Sequence, residues 1–134
     1  MTLLNPRERT ERGSKQQSEL LAIPATQPRT LFESSWRDYI FAEIWTRPGL
    51  DLRSRYLVSI TSAASADTPR DILEGYVRGA LTQNILMLTE LREVALHFAI
   101  YGGWSRGAVI DAAITAVVAE LGLAEDAFVP LRAA

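Results

Sequence analysis

The sequence predicts an all-α fold of five or six helices. Apolar residues recur at three- and four-residue spacing in one segment after another, the pattern of amphipathic helices turning ~100° per residue. Pro and Gly clusters punctuate those segments. No stretch alternates as a strand would, and none repeats internally.

Residues 1–30 read as an N-terminal arm. Asn5 to Gln17 is dominated by charged and amide side chains, with Pro6 and Gly13 as breakers. Ser18 to Ile23 has room for a helical turn or two before Pro24. Two readings stand: a disordered tail, or an arm that wraps a neighbouring subunit through Leu20, Leu21 and Ile23. Residues 31–134 form the helical domain.

Thr30 to Trp45 is the first firm helix, with Phe32, Trp36, Tyr39, Ile40 and Ile44 on its apolar stripe. That stripe reads as core rather than a ligand box. Arg47-Pro48-Gly49 ends the helix, because the residue before Pro avoids the α region. Asp51 caps a helix from Leu52 to Ser65 whose inward face is Leu57, Ile60, Thr61 and Ala64. Small residues at Ser59, Ser62, Ala63 and Ala66 permit close helix packing. Thr68 and Pro69 read as cap and first residue of a helix to Thr82, with Ile72, Leu73, Tyr76, Val77, Ala80 and Leu81 inward. The GYVRG at 75–79 lies inside this helix and has no preceding strand, so it is no nucleotide loop.

Gln83-Asn84 breaks the pattern, and Thr89 is a candidate cap for a helix over 89–101, closed by Gly102-Gly103. Apolar residues cover nearly all of its circumference, which predicts burial nearly all round. Ser105 can cap the last long helix, Arg106 to Leu121, which is rich in alanine and suits tight packing; Gly122 ends it. The tail to Ala134 reads as irregular, anchored by Phe128 and Leu131.

Composition narrows the chemistry. The 134 residues are 48% hydrophobic with a net charge of −2, which suits one globular domain and gives no reason to expect nucleic acid. There are no cysteines, so disulfides, thiolate metal sites and thiol catalysis are excluded. One His is too few for a His-rich metal site, and no metal or other cofactor is expected. No apolar run approaches the ~18 residues of a membrane span. The charged start lacks an apolar signal-peptide core, and the expected location is the cytoplasm.

The most informative stretch is LREVALHFAIYGGW at 91–104. On its helix Glu93, His97 and Tyr101 lie at i, i+4 and i+8, one above another, with Glu90 close by. A carboxylate and an imidazole so spaced can hydrogen-bond and serve as a general acid/base pair once burial brings their pKa values toward neutrality. The same stripe can equally be a solvated face or a polar pair at a subunit contact.

Motif order carries a resemblance. EIWTRPGL at 43–50 is followed by RSRYLVSI at 53–60, YVRGAL at 76–81 and the 91–104 stretch. Over roughly residues 31 to 120 this resembles the carboxymuconolactone decarboxylase family, whose fold is shared with the AhpD-like alkylhydroperoxidases. The resemblance implies an all-α AhpD-like bundle assembled into homotrimers or homohexamers, with active sites near subunit contacts. Three departures stand out. The Cys-x-x-Cys positions of the peroxidase branch fall at Pro69 and Ile72; the decarboxylase His falls at Tyr76; the Cys of a Y-C-G motif falls at Gly102.

The implied function is decarboxylase-like lyase chemistry on a small carboxylated lactone or enol acid, within aromatic-compound catabolism. On that reading Glu93, His97 and Tyr76 are catalytic: His97 shuttles the proton, Glu93 orients it, and Tyr76 takes part of the missing His's role. Arg47, Trp45, Arg78 and Tyr101 bind substrate, an arginine gripping its carboxylate. Isomerase or hydrolase work on a related ring-cleavage product also suits a Glu–His pair. The alternative class is a non-catalytic small-molecule binding or assembly protein on the same fold.

Overall fold

The computed structural model describes residues 5–125; Phe128 and Leu131 lie outside them. Among the described residues there are helices and no strands: α1 (Pro6–Leu21), α2 (Leu31–Ser35) running into a π-helical segment (Trp36–Ile44), α3 (Leu52–Ser65), α4 (Arg70–Thr82), α5 (Leu88–Gly102) and α6 (Trp104–Leu121). The predicted all-α fold is observed. No helix among them is long and apolar enough to cross a membrane.

The first correction concerns the arm. Pro6 does not break a helix but opens one. Asn5 accepts the Glu8 amide at 2.9 Å, the Glu8 carboxylate accepts the Asn5 amide at 3.4 Å, and Pro6 takes the first helical position, where its missing N–H costs nothing. Gly13 is not a breaker either. A β-carbon there would lie 2.0 Å from the Arg37 carbonyl oxygen, so its absence lets α1 lie directly on the π segment. Arg9 meets the buried Glu43 carboxylate at 3.5 Å across the same contact. At its far end α1 buries Leu20 and Leu21 in this chain's own core and lies against α4, where a β-carbon on Gly79 would sit 1.6 Å from the Leu20 carbonyl oxygen.

The second correction is the π segment. Read at 3.6 residues per turn, Phe32 and Tyr39 belong to the core; both are exposed, at 85% and 51%. From Trp36 onward the backbone closes i→i+5 bonds, as in Trp45 N–H to Ile40 C=O at 2.9 Å. The wider turn rotates a different set inward: Phe41, Ala42, Glu43 and Trp45. Trp36, Phe41, Trp45, Tyr56 and Tyr76 form a continuous aromatic cluster with successive ring centroids 5.0–6.0 Å apart. The stripe is therefore core, through partly different residues.

Three caps also differ. Asp51 caps α3 as expected, accepting the Ser54 amide at 2.6 Å. Thr68, Thr89 and Ser105 cap nothing. Pro69 precedes α4 and Gly103 precedes α6 without a side-chain cap, while α5 begins a residue early with the Glu90 carboxylate accepting the Met87 amide at 2.9 Å. On α3, Tyr56 and Ala63 are buried beside Ile60 and Ala64, while Leu57 and Thr61 are half-buried. The Tyr56 hydroxyl donates to the Leu20 carbonyl at 2.5 Å. The inward face of α4 matches its apolar stripe, centred on Leu73, Tyr76, Val77 and Ala80. The third correction is α5. Only Leu91 and Ala95 are fully buried, and Leu96, Ile100 and Tyr101 are 53%, 77% and 78% exposed. The helix lies on α6 with one face and meets α3 near its first turn, and much of the remainder is open.

Candidate functional site

The open face of α5 forms one wall of a cavity of about 570 Å³, and α3 forms the other. Its apolar lining comes from Leu57, Leu86, Val94 and Phe98. Polar groups converge on it from both helices: Arg53 and Thr61 from α3; Thr89, Glu90, Glu93, His97 and Tyr101 from α5. A mostly apolar concavity with a few convergent polar groups is the form of a small-molecule site.

Helical spacing supplies the α5 contribution. Glu90, Glu93, Val94, His97, Phe98 and Tyr101 recur at three- and four-residue steps, so one face of α5 carries both the ionisable groups and the apolar floor. The His97 and Tyr101 rings lie 5.2 Å apart at 44°. Glu93 and His97 share the cavity, but both are exposed, and among the described residues no hydrogen bond or ion pair joins them. The expectation of a buried, mutually bonded pair is thus not met in the single chain, where Leu96, Ile100 and Tyr101 on the same helix are also exposed.

Arg53 is the residue that sequence reasoning left out of the site. Its Nη1 donates to Glu90 Oε1 at 3.2 Å and to the Ile85 carbonyl at 3.3 Å, and its Nη2 donates to Glu90 Oε2. The bonds from Arg53 and then from the Met87 amide hold the Glu90 carboxyl down at about 2, below its ordinary 4.5. The guanidinium is shifted up in turn by the same bond. The signal available beforehand was RSRYLVSI itself, in which Arg53 and Arg55 take different tasks. Arg55 donates to the Arg47 and Leu50 carbonyls at 3.0 and 3.2 Å and pins the turn before α3, while Arg53 reaches across to α5.

The other expected site residues are elsewhere. Trp45 is buried in the aromatic cluster, stacked 6.0 Å from Tyr76. Tyr76 borders a separate cleft of about 210 Å³ with Val58, Ser59, Ser62, Ala63, Thr68 and Ile72. Burial pushes its hydroxyl pKa up, and a hydrogen bond with the Trp36 side chain opposes this. Arg78 on α4 is bound to Glu120 of α6 at 2.7 and 3.2 Å and to the Leu21 carbonyl at 3.4 Å. Arg47 lies in the turn before α3. None of these four lines the α3–α5 cavity. The expected constellation is divided between two concave sites, with Glu93, His97 and Tyr101 in one and Tyr76 in the other. Among the described residues no group of three or more His, Asp and Glu side chains converges as metal ligands would.

A model of the carboxymuconolactone decarboxylase family matches residues 31–119 of this chain. No curated protein matches, and no solved structure does.

Proposed function

This chain belongs to the carboxymuconolactone decarboxylase family, and from that membership we propose that it is a decarboxylase-like enzyme using the α3–α5 cavity on a small carboxylated lactone or enol acid. The observation that carries the reading is the shared outlook of Glu93, His97 and Tyr101 onto an apolar-walled space of about 570 Å³ with an arginine at its edge.

The groups divide the work by charge. Arg53 and Glu90 neutralise one another, so with neutral His97 the Glu93 carboxylate leaves the cavity net negative. Protonated His97 cancels that charge, which favours entry of an acid, and it brings the proton the reaction consumes. The substrate's carboxylate C–C bond breaks, CO2 leaves, and the electron pair passes into the conjugated carbonyl. His97 then delivers its proton to carbon, and solvent restores it. The Tyr101 hydroxyl is the donor placed for the developing oxyanion. Assembly into a homotrimer or homohexamer belongs to the same proposal. Exposed Leu96, Ile100 and Trp104 supply apolar area for it.

The exposure of Glu93 and His97 favours a second reading, a small-molecule binder on the same cavity without turnover. A spectrophotometric assay on carboxymuconolactone and a panel of related lactone and keto acids separates the two. The enzyme reading expects turnover that His97→Gln lowers by about 10²–10⁴-fold, the usual worth of a general acid. Saturable binding of the same acids with no turnover of any of them establishes the binder instead.

A further inference from the structure

Phe98 is the one aromatic wall of the cavity whose position is set by a missing side chain. It lies one helical turn before Gly102, and its ring rests over that residue. A β-carbon on Gly102 would lie 2.6, 2.8 and 3.0 Å from the Cζ, Cε2 and Cε1 atoms of Phe98. All three atoms belong to the outer edge of the ring, whereas carbon atoms pack at ~3.5–4.0 Å. The backbone of Gly102 does not demand glycine. It lies in α5, and the positive-φ glycines among the described residues are Gly103 and Gly122. What glycine provides at 102 is therefore space, and the ring occupies it.

We propose that Gly102 and Phe98 together determine which substrates the cavity admits. The ring seated over Gly102 leaves room for a flat, two-ring-sized apolar body, and any side chain at 102 lifts the ring into that room. This rests on the reading of the α3–α5 cavity as the ligand site. A shift of ~1 Å is needed to restore ordinary carbon contacts. The ring is the end of a flexible side chain, so it moves rather than the helix. Its Gly102 side is closed by the turn of α5 and part of it packs on the core, so the space left to it is the cavity, whose wall it forms with Val94, His97 and Tyr101. The consequence is selective. A small planar acid keeps its place beside Arg53 and His97, and a longer one loses the far end of its seat.

The test uses benzoate and 2-naphthoate as probes, with dissociation constants from calorimetry on the full chain. The variants are Gly102→Ala, Phe98→Leu and the two combined. The wild type is expected to prefer 2-naphthoate by about tenfold, because the second ring adds several buried apolar carbons. Gly102→Ala, its helical circular dichroism unchanged, is expected to lose most of that preference while holding benzoate. In the double variant the branched, shorter leucine has no ring to displace, and the preference returns. An unchanged naphthoate-to-benzoate ratio in Gly102→Ala overturns the proposal and leaves the cavity's role standing. A wild type that binds neither acid overturns both.

Discussion

Arg53 and Glu90 tie α3 to α5 beside the cavity, two guanidinium nitrogens to two carboxylate oxygens across 37 residues of sequence. The same Glu90 carboxylate accepts the Met87 amide at 2.9 Å, so one side chain begins α5 and fastens it to its neighbour. The helix that carries His97 is thus located by a charge at its first turn, where an anion also meets the positive end of the helix dipole.

Acid should loosen this arrangement in a defined window. The Glu90 carboxyl titrates at about 2 in the folded chain, against an ordinary value of 4.5, chiefly because Arg53 donates to it. A depressed folded pKa contributes stability that is fully present above the unfolded value and is lost as pH falls through the folded one. Glu90→Gln keeps the shape and removes the charge. In urea unfolding, the wild type's advantage over Glu90→Gln should be constant near neutrality and should shrink from about pH 4.5 down to about pH 2. A gap independent of pH would show that the pair contributes packing rather than charge.

The docking of α1 is the second test. Tyr56 donates to the Leu20 carbonyl, and Gly79 leaves room for that same carbonyl. Tyr56→Phe strands a buried acceptor, at a cost of about 1–3 kcal/mol. Gly79→Ala forces the end of α1 outward, at about 3 kcal/mol by analogy with overpacked cores. Both should speed hydrogen exchange over Ser18–Leu21 and leave α5 unchanged. Because the two act on one carbonyl, the double variant should cost less than the sum. Full additivity would mean that Leu20 is not the shared element.

The parts of this molecule legible in sequence are those set by local periodicity. The inward face of α4 followed from Leu73, Tyr76, Val77 and Ala80, and the Glu93–His97–Tyr101 stripe followed from helical spacing alone. What escaped depends on contacts between elements. Gly13 reads as a breaker until Arg37 is known to lie against it. Tyr39 reads as core because a 3.6-residue period does not describe a segment that is π-helical. Arg53 is an ordinary surface arginine until Glu90 is placed opposite. Periodicity gives each helix its faces but not which faces meet, and so it could not separate Tyr76 from His97.

That separation gives the most discriminating prediction. Tyr76 stacks on Trp45 and borders the smaller cleft with Ser59, Ser62 and Thr68, while His97 opens on the larger cavity. If the proton is moved at His97, Tyr76 matters only as core. Tyr76→Phe keeps the ring stacking and should leave kcat within about threefold, with a stability loss of about 1 kcal/mol for the hydroxyl's hydrogen bond. His97→Gln should lower kcat by about 10²–10⁴-fold with little change in unfolding midpoint, since an exposed side chain carries little packing. Steady-state kinetics on the best acid of the substrate panel, with urea unfolding alongside, measures both. The reverse pattern, in which Tyr76→Phe is crippled and His97→Gln active, would move the reacting centre to the Tyr76 cleft. Tyr76→His would then be the variant to follow, because it places an imidazole at the position where the family resemblance implies one.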